Sequence, residues 1–201
     1  RNKDYQAVMP LKGKILNTWE VDSAEVLSSQ EVHDIAIALG VDPGSPDLSG
    51  LRYGKVCILA DADSDGAHIA TLLCALFLRH FRPLVEVGRV CVAMPPLYRI
   101  DVGKQIFYAL DEDERKGVLD HIEAEKLSGV VSVQRFKGLG EMRPKVLWET
   151  TLNPKTRRLL KVKIVDHIET DRIINQLMGK DASARFRFIM DRAGEAAELD
   201  V

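Results

Sequence analysis

Apolar positions recur at helical spacing early in the chain. Val32, Ile35, Ala36 and Leu39 fall at i, i+3, i+4 and i+7. A capping-box pattern, S-x-x-E, precedes them at Ser28 to Glu31, and Gly40 supplies a stop. Pro43 to Gly50 reads as loop. Lys55 to Ala60 is almost wholly apolar, which predicts a strand covered on both faces. Ile69, Leu72, Leu73, Leu76 and Phe77 predict a helix ending near Phe81. Arg89 to Met94 is a second apolar strand, closed by Pro95-Pro96. Strand, helix and strand at this spacing predict a βαβ unit in a largely parallel sheet.

The pattern then changes. Asp111 to Lys126 predicts a charged, weakly amphipathic helix, and Val130 to Phe136 a strand. Pro144 and Asn153-Pro154 are helix-start signals. Leu159 to Val165 alternates apolar and basic residues, as in a half-exposed strand. Ile173, Ile174, Leu177 and Met178 mark one more helix. The change in pattern puts a domain boundary near residue 110, and no internal repeat crosses it.

Composition narrows the class. A chain of 201 residues, 46% hydrophobic and 29% charged, has the make-up of a soluble globular protein with a real core. The longest apolar run, Ile69 to Phe77, is too short to span a membrane, and no signal peptide opens the chain. It begins at Arg1 and not at Met, so the expectation is a fragment of something longer. Cys57, Cys74 and Cys91 are odd in number, widely spaced and set among apolar residues. Neither a disulfide framework nor a zinc site is expected, and a reducing cytoplasm is the default. The four tyrosines, Tyr5, Tyr53, Tyr98 and Tyr108, stand among apolar residues and read as packing, not as nucleophiles.

Charge is unevenly spread behind a net of −2. Residues 134–163 carry nine Lys/Arg against two Asp/Glu, a local +7. Residues 101–127 come to −4, and 166 to the end to −3. A basic block between two acidic ones excludes a chain that is basic throughout, but not a local polyanion site.

The candidate chemistry sits directly after the first apolar strand. Asp61, Asp63 and Asp65 form D-x-D-x-D-G. In an extended segment, residues two apart point the same way, about 7 Å apart. Asp61 and Asp63 can then present oxygens to one spot, where their repulsion calls for a cation. Hard oxygen ligands suit Mg²⁺ or Mn²⁺. The carboxyl end of a sheet strand is also where α/β proteins place ligands. Three competing readings exist. The aspartates can be solvated turn residues, with Asp65 as the N-cap of the next helix. A calcium loop of EF-hand type needs Glu at its twelfth position, which here is Leu72, and a preceding helix where this chain has a strand. An aspartyl phosphatase needs Thr or Val where this chain has Asp65.

Two basic stretches accompany the acids. Lys12 and Lys14 straddle Gly13 in L-K-G-K-I-L-N, and Arg135 to Arg143 reads R-F-K-G-L-G-E-M-R. Glycines flanked by Lys and Arg can cradle a phosphate backbone. Neither stretch is a P-loop, and no G-x-G-x-x-G is present. Beside a metal site, they fit a polyanion that needs Mg²⁺, namely nucleic acid. His68, just after the acidic turn, is a polar candidate for the same site.

Four motifs stand in order along the chain: P-L-K-G-K-I-L-N (Pro10 to Asn17), L-A-D-A-D-S-D-G-A-H-I (Leu59 to Ile69), P-P-L-Y-R-I (Pro95 to Ile100) and F-K-G-L-G-E-M (Phe136 to Met142). Together they strongly resemble the carboxyl-terminal half of the B subunit of bacterial type IIA topoisomerases, over essentially the whole chain. The wording Q-R-F-K-G-L-G and K-I-L-N-T-W-E is nearer to the topoisomerase IV branch than to gyrase. The resemblance implies an α/β fold. A Rossmann-like Toprim domain with a parallel sheet would cover residues 1–110. A smaller α+β tail domain, including the basic block 134–163, would cover 111–201.

What the resemblance implies about chemistry follows residue by residue. Asp61 and Asp63 match the two central metal ligands, and Asp65 the third acid. The metal is Mg²⁺, with Mn²⁺ or Ca²⁺ able to substitute. Lys14 and Asn17, with Lys12 beside them, match positions that lie against duplex DNA; His68 and Lys137 match positions close to the cleavage site. A tyrosine of a partner A subunit would attack the DNA phosphate, in support of ATP-dependent strand passage, decatenation and relaxation. Quinolone-type inhibitors would meet the B subunit at the cut. The setting would be the bacterial cytoplasm and its nucleoid, in an assembly of two A and two B subunits. One departure matters. The family's E-G-D-S-A motif, whose Glu is a metal ligand and general acid, would lie just before Arg1, and the ATP-binding half is absent too. No complete catalytic set is therefore expected in this chain. The alternatives are the gyrase branch, another Toprim nuclease or primase, a non-catalytic adaptor docking through its acidic tail, and the aspartyl phosphatase.

Overall fold

The computed structural model describes residues 1–195. The last acidic residues of the chain, Glu198 and Asp200, lie outside the described residues. Helix α1 (Ser23–Ser28) is capped by Asp22, whose carboxylate accepts from the Glu25 N–H. Helix α2 (Gln30–Leu39) buries Val32, Ile35, Ala36 and Leu39, the residues of the predicted stripe. Its N-cap is Ser29 and not Ser28, because Ser28 closes α1 instead. It ends at Gly40, whose φ of 74° is the left-handed geometry glycine adopts freely.

Strand β1 (Val56–Ile58) leads through the acidic turn into helix α3 (Ser64–His80). The short helix α4 (Arg82–Glu86), with Pro83 in its first turn, hands over to strand β2 (Val90–Ala93). A hairpin follows, β3 (Tyr98–Val102) and β4 (Gln105–Ala109), turning on Gly103 and Lys104. Helix α5 (Glu112–Ala124), capped by Asp111, precedes strand β5 (Val131–Arg135). Helix α6 (Pro144–Leu147) runs into a π-helical turn, Trp148–Leu152. Asn153-Pro154 opens a turn and not a helix. The predicted strand after it shrinks to β6 (Leu159–Lys161). Helices α7 (His167–Met178) and α8 (Ala182–Asp191) follow.

The strands form two sheets, ordered β1-β2-β6 and β4-β3-β5, and the pairings include a parallel one. With β1, α3 and β2 in sequence and β1 beside β2, the architecture is the expected α/β class.

The chain divides into two compact units, each assembled from separate stretches. One holds Arg1–Pro10, Leu59–Ala67 and Val92–Leu160. Its antiparallel sheet pairs Tyr98 with Ala109 on one side and with Arg135 on the other. Alternation in β3 sends Tyr98, Ile100 and Val102 to the buried face. Ile100 and Val102 pack there with Ile122 of α5, and Phe107, Val118, Leu119 and Leu127 complete the cluster. A second cluster joins Phe136, Met142 and Val146, with Tyr108, Leu139 and Leu147 against it. Tyr98 is thus a packing residue, as expected. Tyr5 is not: it is 58% exposed.

The other unit holds Leu11–Ile58, His68–Cys91 and, among the described residues, 161–195. Within it the Val56 N–H donates to the Arg89 carbonyl and the Val162 N–H to the Val90 carbonyl. Helix α3 buries Leu72, Leu73, Leu76 and Phe77, and the Phe77 and Phe81 rings lie 5.5 Å apart. Cys57, Cys74 and Cys91 form no disulfide. Among the described residues, no helix is long and apolar enough to cross a membrane.

Candidate functional site

The acidic turn of the first unit is built around Gly66. The Gly66 N–H donates to Asp63 Oδ1 at 2.7 Å, and the Ala67 N–H donates to the Asp63 carbonyl at 2.9 Å. A side-chain acceptor meeting the N–H three residues on is N-cap geometry. The N-cap of α3 is therefore Asp63 and not Asp65, which already lies in the first helical turn. Gly66 is required there. A Cβ on it would stand 2.1 Å from the Asp61 carbonyl oxygen, too close for any side chain.

Asp61 is held from the other end of the unit. The Leu139 N–H donates to Asp61 Oδ1 at 2.8 Å across 78 residues of sequence. A Cβ on Gly138 would come within 2.9 Å of the Asp61 carboxyl carbon and 3.0 and 3.1 Å of its oxygens. So the glycine of K-G-L-G, predicted to let a phosphate approach, makes room for a carboxylate. The loop carrying it is anchored by Phe136 and Met142 in the apolar cluster. It is tightened by the Glu141 carboxylate, which accepts from the Lys137 N–H at 2.8 Å. The Lys137 side chain stays exposed. This unit therefore gathers Asp61, Asp63 and the K-G-L-G loop.

The donor set fits a hard cation. Asp61, Asp63 and Asp65 are all exposed. One oxygen of Asp61 and one of Asp63 is fixed by a backbone N–H, and the second oxygen of each makes no hydrogen bond among the described residues. Two carboxylates with water making up the rest is how proteins commonly hold Mg²⁺. Among the described residues, no three His, Cys, Asp or Glu side chains form a metal-holding group, so the turn is not a closed cage.

The other predicted residues belong to the second unit. Lys12 and Lys14 are exposed on either side of Gly13, whose φ is 134°. Asn17 is not open to a ligand in the same way. Its amide donates to the Met178 carbonyl at 2.9 Å, and its Oδ1 accepts from the Trp19 N–H at 3.2 Å. The Glu20 N–H closes this turn on the Asn17 carbonyl. Arg79 completes it. Its Nη1 donates to the Thr18 carbonyl at 2.9 Å and to the Trp19 carbonyl at 2.5 Å, and its guanidinium lies 5.5 Å from the centre of the Trp19 ring. Sequence reasoning missed Arg79, for nothing in a helix-end arginine tells which carbonyls it meets. His68 is exposed on α3, one turn further in than a helix-opening residue.

Comparison with known proteins gives a consistent picture. Residues 1–95 match the family model of the Toprim domain, and 128–190 that of the DNA gyrase B subunit carboxyl terminus. Toprim domains as a class bind metal ions. The chain is 62% identical over 199 residues to the B subunit of DNA topoisomerase 4 from Pseudomonas aeruginosa, with 99% of this chain and 32% of that protein aligned. It is 60% identical over 203 residues to the corresponding topoisomerase 4 protein of Escherichia coli (strain K12), again covering 32% of it. To the B subunit of DNA gyrase from Thermotoga maritima it is 45% identical over 202 residues, covering 31%. The chain thus spans about a third of the length of the curated relatives it matches. Its two family matches, in order along the chain, and its identities make it a member of the B-subunit family of bacterial type IIA topoisomerases, on the topoisomerase IV side of that family.

Proposed function

We propose that this chain is the metal-holding, DNA-cleavage-supporting part of a topoisomerase IV-like B subunit. Its substrate is duplex DNA, and the nucleophile is a tyrosine of a partner A subunit. The observation that carries the reading is the Leu139 N–H hydrogen bond to Asp61, which joins the acidic turn to the K-G-L-G loop. Residues 1–110 are read as the Toprim domain and 111–201 as the tail, in line with the two family matches.

Bound Mg²⁺ would stabilise charge on the scissile phosphate and on the leaving 3′-oxygen. Asp61 and Asp63 would hold it, with Asp65 as a third acid beside them. The Leu139 and Gly66 N–H groups fix one oxygen of each carboxylate, so the pair is oriented before metal or DNA arrives. Lys137, Lys12 and Lys14 would grip phosphates without reading sequence, His68 would lie near the cut, and Asn17 would shape the segment that carries the two lysines. The composite enzyme would carry out ATP-dependent strand passage, with ATP bound outside this chain. It would work on the nucleoid in the cytoplasm and meet quinolone-type inhibitors at the cut.

Asp63→Asn tests this directly. Asn keeps the N-cap of α3 but removes the charge. In the assembled enzyme, Asp63→Asn is expected to abolish protein-linked DNA breaks while DNA affinity stays within about twofold, because affinity resides in the bases. Equal loss of both activities would contradict the assignment.

A further inference from the structure

Arg79 lies outside every motif that marks the family in this chain, yet it supports one of them. The turn at residues 17–20 directs the Thr18 and Trp19 carbonyls away from its own hydrogen bonds. Without Arg79 the Trp19 carbonyl would need another partner, and the Thr18 carbonyl would keep only its bond with His80. One Arg79 nitrogen takes both, at 2.9 and 2.5 Å, and the guanidinium stacks near the Trp19 ring. Thr18 is fully buried and Ile15 nearly so, so this end of the segment is seated in the unit. At its other end Lys12 and Lys14 are exposed on either side of Gly13, whose φ of 134° suits glycine.

We propose that Arg79 is a positioning residue for DNA binding: it holds the 17–20 turn and so sets where Lys12 and Lys14 meet phosphates. This rests on the reading that those lysines grip DNA. Arg79 touches no DNA itself. It acts as a hydrogen-bond donor to two carbonyls through one nitrogen, so lysine, whose single nitrogen has nearly the same reach, should replace it.

The test uses the full-length B subunit assembled with its A subunit and a short duplex, with affinity measured across a salt series. Lys12→Ala/Lys14→Ala is the reference and should weaken binding at least tenfold. Each lost phosphate contact makes the slope of log K against log salt shallower by about 0.9, so two lost contacts lower it by roughly 1.8. Arg79→Met, which keeps the apolar stem over Trp19, is expected to reproduce that loss and that slope. Added to the double lysine variant, it should have no further effect. Arg79→Lys should stay within about threefold of the parent, and Arg79→Gln, too short to reach the two carbonyls, should behave like Arg79→Met. Amide hydrogen exchange of Arg79→Met should rise over residues 11–20 and not across the rest of the unit. If Arg79→Met makes the slope shallower by about 0.9 and does so in the double lysine variant as well, Arg79 is itself a phosphate contact and the proposal fails. Exchange that rises throughout the unit overturns it as well, by making Arg79 a general stabiliser. If the double lysine variant binds DNA like the parent, the DNA-contact reading itself fails. If only the Arg79 variants bind like the parent, the proposal alone does.

Discussion

A methyl group at position 138 would land on the carboxylate that the site depends on. Gly138 has an extended backbone, so alanine there carries no conformational strain. The conflict is with the Asp61 side chain, 2.9 Å from the added carbon, which is free to rotate away. Gly138→Ala should therefore leave the melting temperature within a degree or two while lowering DNA cleavage at least tenfold, as measured by protein-linked breaks. Unchanged cleavage would mean that Asp61 need not stand where Leu139 holds it. The residues of this site were legible in sequence as types, but not as partners. D-x-D-x-D-G after an apolar strand announces oxygen ligands. Nothing in it says that one oxygen of Asp63 caps the helix, or that the partner of Asp61 lies 78 residues away. Asn17 shows the same limit: nothing in the sequence tells that its amide bonds to Met178 and Trp19.

Elements were legible where the periodicity ran long enough. The α2 stripe, the apolar runs of β1 and β2, and the stripe of α7 each marked an element; α2 and β2 are well buried, whereas β1 is mostly half-buried and α7 buries only Met178. The β3–β4 hairpin was not read, although it forms most of the sheet that packs against α5. Its turn is only two residues, Gly103 and Lys104, and needs the φ of 58° at Gly103. Helix α4 is five residues long, too short to show a period. Helix α8 contains R-F-R-F, whose alternation suggests a strand. Asn153-Pro154 is as good a turn signal as a helix start, and the turn won. At this scale the hairpin carries the structural weight of its unit. Ile100 is fully buried in β3 within the cluster that binds α5 to the sheet. Ile100→Ala should cost about 2–5 kcal/mol in chemical denaturation, the range for deleting a large buried aliphatic side chain. A cost under about 1 kcal/mol would mean that this cluster does not hold the sheet.

For the molecule as a whole, α/β class and family were legible because four motifs stand in order. The division into units was not, since each is drawn from separate stretches of chain that only the fold brings together. Stability should depend on pH through His80. Burial pushes its imidazole below the ordinary value of 6.5. A backbone hydrogen bond with Thr18 works against this, and the Arg79 cation adds to it. A lowered folded value means that the unfolded chain takes up the proton first. The stability is fully present above 6.5 and is lost as pH falls below it toward the folded value. Thermal melting should therefore decline on acidification through that window, and His80→Asn should flatten this part of the profile. An unchanged slope in the variant would assign the acid sensitivity elsewhere. The central claim, that Asp61 and Asp63 hold the metal of a cleavage site shared with an A subunit, is tested most directly by reconstitution. A full-length B protein carrying this chain, a topoisomerase IV A subunit and duplex DNA would be combined with and without Mg²⁺, and protein-linked double-strand breaks read on a denaturing gel. The account predicts breaks that need Mg²⁺, the A subunit and both aspartates; breaks that persist in Asp61→Asn/Asp63→Asn, at the same Mg²⁺ dependence, would contradict it.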